Sequence, residues 1–370
     1  MDRLPGVTRH PRDRALAHEQ LSQLLVVAPH DEPDVAVQHD LRRDLDLDVV
    51  SGHPRTSWLG RSGVRADVVC RLVGARAVEA WRARGRHVDV AGREVFVVDV
   101  PAERDVGLDP VLVLHGFPTC SFDWRHVLGA VSRERRVVLF DFPGFGLSAK
   151  PDERYSIRTY ADVAERVVAT AKLDRVALVT HDMGDTVGGE LLARDLEGSL
   201  DFGVSQRVLT NGSIYIEMAQ LTAGQQLLLA LDDRRFDVSE LGLDAREGFR
   251  SGVAGTFSPR HPASDEELDA QWELASYAGG HQLLARTIRY IEDRRAAEER
   301  FTGAIERHPS PLGVVWGALD PVAVHAMAER LGRARPDATI ITLPDAGHYP
   351  MVEVPDAFAE AVLGLLGARR

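Results

Sequence analysis

Apolar residues along this chain gather into short unbroken runs. Val111-Leu-Val-Leu114 (after Pro110), Val137-Val-Leu-Phe140, Val176-Ala-Leu-Val-Thr180, Val208-Leu-Thr210, Gly313-Val-Val-Trp316 and Thr339-Ile-Ile-Thr-Leu343 are the clearest. A run that is apolar at successive positions, without polar alternation, predicts a strand covered on both faces. Between the runs the spacing turns helical, over 124–131, 159–171, from Asp185 onward (Val187, Leu191 and Leu192 on one face) and over 355–366. Strands alternating with helices imply an α/β fold with a mostly parallel sheet covered by helices on both faces. Ahead of these lie a short amphipathic helix carrying Val78 and Trp81, then two strands in 87–100 around a turn at Ala91-Gly92.

The alternation breaks after Asn211 and resumes at Leu312, a gap longer than a βα crossover requires. Helical spacing at 220–231, 266–277 and 283–295 makes this segment an inserted helical cap over 213–311. The core is then 75–212 together with 312–370. Residues 1–74, rich in Arg, Asp, His and Val with scattered Pro, show no sustained period. They read as a disordered or non-native N-terminal extension and are assigned no chemistry.

One stretch organises the rest. The strand ending at Thr180 gives way within a few residues, at His181-Asp-Met-Gly-Asp185, to a helix. A strand that turns so sharply into a helix exposes one residue on a strained corner and needs small neighbours, because the two elements pass close together. Thr180 and Gly184 flank Asp182, so the corner carries a carboxylate. In open parallel sheets ligands sit beyond the carboxyl ends of the strands, and three further strand ends lead there: His115-Gly-Phe117, Asp320 and His348. Asp182, Asp320 and His348 are thus the candidates for nucleophile, acid and histidine. Each has a plainer reading: Asp182 as a helix N-cap, Asp320 as the turn residue of Asp-Pro, His348 as a surface histidine. Their joint placement at strand ends favours chemistry. Asn211, uncharged, is the weaker candidate for the acid. Asp141 and Asp185 read as structural, and Gly144-Phe-Gly146 is no dinucleotide fingerprint, lacking a third glycine.

Composition narrows the function classes. With 44% apolar and 27% charged residues in 370, the chain has the balance of a globular protein with a large core. A formal net charge of −12 argues against nucleic acid as a partner. Two cysteines, Cys70 and Cys120, make neither a disulfide framework nor a metal site, and the histidines lack metal-ligand spacing. No apolar run is long enough for a membrane span and no signal peptide is evident, so a cytoplasmic protein is expected. No cofactor is implied, and the oligomeric state is left open.

Several motifs carry a family resemblance: His115-Gly-Phe-Pro-Thr119 with Asp123-Trp124, Gly144-Phe-Gly-Leu-Ser-Ala-Lys-Pro151, His181-Asp-Met-Gly-Asp185, Asn211-Gly212, Leu319-Asp-Pro-Val322 and His348-Tyr-Pro350. Over about 81–366 the chain resembles the α/β-hydrolase superfamily, in its Asp-nucleophile branch of epoxide hydrolases and haloalkane dehalogenases. Within that branch it looks most like hydrolases of the mesoderm-specific-transcript type. The resemblance implies an α/β-hydrolase fold and hydrolysis of a small apolar organic substrate by water.

Aspartate side chains, with an ordinary pKa of about 3.9, need no base to make them nucleophilic. Asp182 would displace a leaving group from saturated carbon and form an alkyl ester. His348, supported by Asp320, would deprotonate the water that hydrolyses it, and the backbone N–H groups of Phe117 and Met183 would form the oxyanion hole. Halide release needs N–H donors, which dehalogenases take from a Trp after the nucleophile and a second Trp or Asn. Here Met183 and Phe117 stand at those places. An opening epoxide instead needs a proton, which epoxide hydrolases draw from cap tyrosines, and the insert offers Tyr290 first and Tyr215 second, with Tyr277 also available. Epoxide hydrolysis is therefore expected ahead of haloalkane dehalogenation, then ester or lactone hydrolysis, then a non-catalytic binding protein of this fold.

Overall fold

The computed structural model of the protein describes residues 74–367. The expectation for residues 1–74 thus lies outside the described residues, apart from Gly74, which is helical together with the residues up to 82. Eight strands form one sheet: β1 (Arg86–Val90), β2 (Arg93–Val100), β3 (Val111–Leu114), β4 (Val137–Phe140), β5 (Arg175–His181), β6 (Gly203–Thr210), β7 (Leu312–Gly317) and β8 (Thr339–Leu343). Their spatial order is β1-β2-β4-β3-β5-β6-β7-β8. β1 pairs with β2, and β2 with β4, in antiparallel sense; every other pairing is parallel.

The central strands are the unbroken apolar runs. All residues of β3, β4 and β7 are buried, whereas the edge strand β8 keeps exposed positions. Each fully buried Val or Leu side chain contributes roughly 1.5–3 kcal/mol, so these strands anchor the core. α1 (Ile157–Thr170) starts where Ser156 accepts a hydrogen bond from Thr159 N–H at 3.1 Å, and α2 (Met183–Leu196) follows β5 directly.

The segment between β6 and β7 holds α3 (Ala223–Ala230), α4 (Ala245–Ala254), α5 (Asp265–Ser276), α6 (Tyr290–Ala296) and α7 (Glu298–Arg307). Behind it come α8 (Ala326–Ala334) and α9 (Pro355–Gly367). The continuous helix expected over 283–295 is instead a short helix, Leu284–Thr287, followed by α6. Its buried Arg289 lies at the join and donates to the Leu229 carbonyl at 3.0 Å and to the Leu231 carbonyl, tying the join to the end of α3. Periodicity cannot register such a tertiary demand. α4 was not evident from apolar spacing, although Asp244-Ala-Arg-Glu247 is a helix-start signal, and Asp244 does accept from Glu247 N–H at 3.0 Å. α7 packs along α2: a Cβ on Gly189 would stand 2.7 Å from the Phe301 carbonyl oxygen, and Arg300 spans Glu190 and Glu197. The inserted segment thus reaches the core through its last helix.

Candidate active site

The turn from β5 into α2 sets the site. Asp182 has φ 51° and ψ −114°, a conformation that costs a non-glycine residue about 1–3 kcal/mol and persists only where the surroundings enforce it. The surroundings are tight. A Cβ on Gly184 would meet the Leu114 carbonyl oxygen at 2.4 Å, and one on Gly116 would meet Asp182 Cβ at 2.5 Å. Asp182 occupies the N-cap position of α2, yet its side chain makes no capping bond. Its Oδ1 accepts the Phe117 N–H at 2.8 Å instead. The plain N-cap reading therefore does not describe what this carboxylate contacts.

Three strand ends meet it. His348 Nε2 lies 3.8 Å from Asp182 Oδ2, and His348 Nδ1 is 2.8 Å from Asp320 Oδ2. Asp320 is held by its own neighbours: Oδ1 accepts from Val322 N–H (2.7 Å) and Ala323 N–H (3.0 Å). Asn211 Nδ2 donates to Asp320 Oδ2 at 2.7 Å, and Asn211 Oδ1 accepts from Gly317 N–H at 3.0 Å. Asn211, set aside as the acid, thus orients Asp320. Met183 is the first residue of α2, where backbone N–H groups have no acceptor within the helix.

Electrostatics distinguish the two histidines. Burial alone would push His348 down; the charge and hydrogen bond of Asp320, with the charges of Asp182 and Glu353, outweigh it and hold the pKa at about 9. His181, beside Asp182, goes the other way: burial and then the neighbouring His348 lower it to about 4. It is a neutral ring packed 4.9 Å from His348's, with Nε2 2.8 Å from the His348 carbonyl oxygen. Nothing in the sequence beyond adjacency to Asp182 pointed to this contact. In Asp182→Asn one of the charges raising His348 is gone, and its pKa is expected to fall below about 9 toward the ordinary 6.5. Histidine NMR titration of the two proteins reads this, and an unchanged value would mean that the side chains do not sense each other.

The tyrosines separate. Tyr290 is buried, its ring centroid 5.7 Å from that of Phe117, and Asp182's charge acts on it; burial above all pushes its phenol well up. Its hydroxyl has no hydrogen-bond partner among the described residues. Tyr215 is not brought to this site: its hydroxyl donates to Glu306 at 2.7 Å and its ring lies under Arg330. Asp141 accepts from Ser121 N–H and Leu147 N–H, and Asp185, which accepts from the Thr180 hydroxyl, is pushed by burial to about 8. A cavity of about 950 Å³, counting its open part, runs from Phe117, His348 and Tyr349 between α3 and α4, past Leu228, Leu243 and Phe249. Among the described residues no cluster of three or more His, Cys, Asp or Glu is placed to hold a metal ion, and no helix is long and apolar enough to cross a membrane.

Residues 111–361 match the family model described as "Alpha/beta hydrolase family". The chain belongs to the alpha/beta hydrolase family. This hydrolase is 42% identical over 296 residues to LipZ of Mycobacterium tuberculosis, an alignment covering 78% of this chain and 98% of LipZ. It is 30% identical to the human mesoderm-specific transcript homolog protein, over 79% of this chain and 88% of that one. The crystal structure of Cfl2 from Burkholderia cenocepacia shares the hydrolase's fold at 22% identity, with a TM-score of 0.63 over 76% of this chain and 95% of that one.

Proposed function

We propose that this hydrolase opens epoxides through a covalent alkyl ester on Asp182. The observation that carries the reading is the carboxylate at the elbow, with Oδ1 on the Phe117 N–H and Oδ2 facing His348. Oδ2 attacks a ring carbon, the carbon–oxygen bond of the epoxide breaks, and Asp182 becomes a neutral ester. Tyr290, kept a neutral phenol by burial, donates a proton to the leaving alkoxide. Forming the ester removes the Asp182 charge that favours protonated His348, so the imidazole releases its proton, which through solvent replaces the one Tyr290 gave up, and becomes the base for the second step. Water then attacks Asp182 Cγ, the oxyanion forms on Oδ1 against the Phe117 and Met183 N–H groups, and the diol leaves carrying Oδ2. Each such donor is worth roughly 3 kcal/mol of barrier.

Dehalogenation is less well supported. No tryptophan lines the main cavity, and the Trp316 indole N–H is spent on the Ala323 carbonyl at 2.8 Å. The apolar cavity fits an organic substrate. Wild type offered styrene oxide, an aliphatic epoxide, 1-bromobutane and a nitrophenyl ester is expected to turn over an epoxide. A single turnover in H₂¹⁸O should leave the label in the Asp182 carboxyl and an unlabelled oxygen in the diol. Label in the diol on the first turnover, or turnover of the bromide or ester alone, would overturn the proposal.

A further inference from the structure

Beside the main cavity lies a much smaller pocket, whose walls include Ser213, Leu221, Gln225, Tyr290, Arg294 and Val322. Gln225 and Val322 also line the main cavity, so the pocket adjoins it as a side chamber across these two residues. Arg294 is only 2% exposed. Its Nε donates to Thr186 Oγ1 at 2.8 Å and its guanidinium carbon lies 5.0 Å from the centre of the Tyr290 ring. Neither terminal nitrogen has a hydrogen-bond partner among the described residues, and Nη2 is fully shielded from solvent.

The other four buried arginines among the described residues differ. Arg135 donates to the Asp109 and Leu366 carbonyls, and Arg207 to those of Ile305 and His308. Arg289 pairs with Glu292, and Arg335 with Asp337. Arg294 alone of the five leaves its terminal nitrogens without an oxygen. Its charge reaches Asp185, but burial pushes that acid to about 8, leaving it largely protonated at neutral pH. Ser213 Oγ, on the same wall, is also buried without a partner. A buried cation lacking its anion is unfavourable, and a guanidinium fits a carboxylate through two parallel hydrogen bonds.

We infer that the side chamber binds a carboxylate belonging to the substrate, whose apolar body extends into the main cavity. This rests on the proposed chemistry at Asp182 only for which carbon reacts; the binding itself does not depend on it. The substrate class becomes an organic acid bearing the reactive group along its apolar portion. A neutral substrate would leave Arg294 unpaired and bind less well.

Calorimetric titration with hexanoate and hexanamide tests this on wild type, Asp182→Asn, Arg294→Gln and Ser213→Asp. Wild type and Asp182→Asn should prefer the carboxylate about tenfold or more, the scale of a charged hydrogen-bonded contact. Arg294→Gln should abolish the preference. Ser213→Asp, which supplies a resident carboxylate to the same chamber, should abolish it with the melting temperature unchanged or raised. Equal binding of both ligands by wild type, or a preference persisting in folded Arg294→Gln or Ser213→Asp, would overturn the inference; should Arg294→Gln fail to fold, wild type and Ser213→Asp decide. Activity surviving in Asp182→Asn would sink the alkyl-enzyme mechanism while leaving this preference intact, so the two failures are distinguishable.

Discussion

Replacing Asp182 by Asn is expected to lower turnover by about 10⁴-fold or more while the protein stays folded, because the residue proposed to form the covalent bond has no substitute in the site. Asn has nearly the same shape, which matters where the Gly116 backbone leaves no spare room against Asp182. It also tolerates positive φ better than most residues, so the elbow at φ 51° should survive. Its carbonyl can still accept the Phe117 N–H. What it lacks is an anionic oxygen to attack carbon. Steady-state kinetics on the epoxide, with circular dichroism as the folding control, checks the outcome. Activity within tenfold of wild type would shift the mechanism to direct attack by water with His348 as base.

His348→Gln should behave differently, and the difference is the sharper test. In the proposed mechanism the first half-reaction uses Asp182 and a proton donor; His348 enters when water must be deprotonated. The variant is therefore expected to react once and stop, with steady-state turnover down by about 10²–10⁴-fold, the usual contribution of a positioned base. Intact-mass measurement should show one equivalent of adduct, located on the peptide carrying Asp182. The mass identifies the leaving group as well: an epoxide adds its whole mass, whereas an alkyl halide adds its mass less that of the hydrogen halide. Gln can still reach toward Asp320, so the pocket need not collapse. No adduct with a substrate that wild type turns over would refute the alkyl-enzyme.

Much of this architecture was legible in the chain because it depends on local rules. The runs that became β3, β4 and β7 are apolar at successive positions since both faces of those strands are covered. The corner at Asp182 was legible for a similar reason: a strand-to-helix turn demands small flanking residues, and Gly184 is where a side chain would strike the Leu114 carbonyl. Even the missed helix α4 had its start written in Asp244 and Glu247. The break between Leu284–Thr287 and α6 had no such signature, because Arg289 ties that join to α3 from far along the chain.

The sequence by itself determined the fold family, the carboxylate at the elbow and the histidine and acid at neighbouring strand ends. The family came from the resemblance its motifs carry; the elbow and the strand ends follow from periodicity, from glycine's lack of a Cβ and from motif order. Tertiary structure alone decided which tyrosine stands near Asp182. Tyr290 packs against Phe117, whereas Tyr215 is taken up by Glu306, and their residue type is the same. It alone gave Asn211 its hold on Asp320, placed the neutral His181 ring against His348 and left Arg294 buried with no anion. Each of these depends on atoms brought together from distant parts of the chain. Hydrogen bonding, burial and charge act on distance in space, which local sequence patterns do not encode.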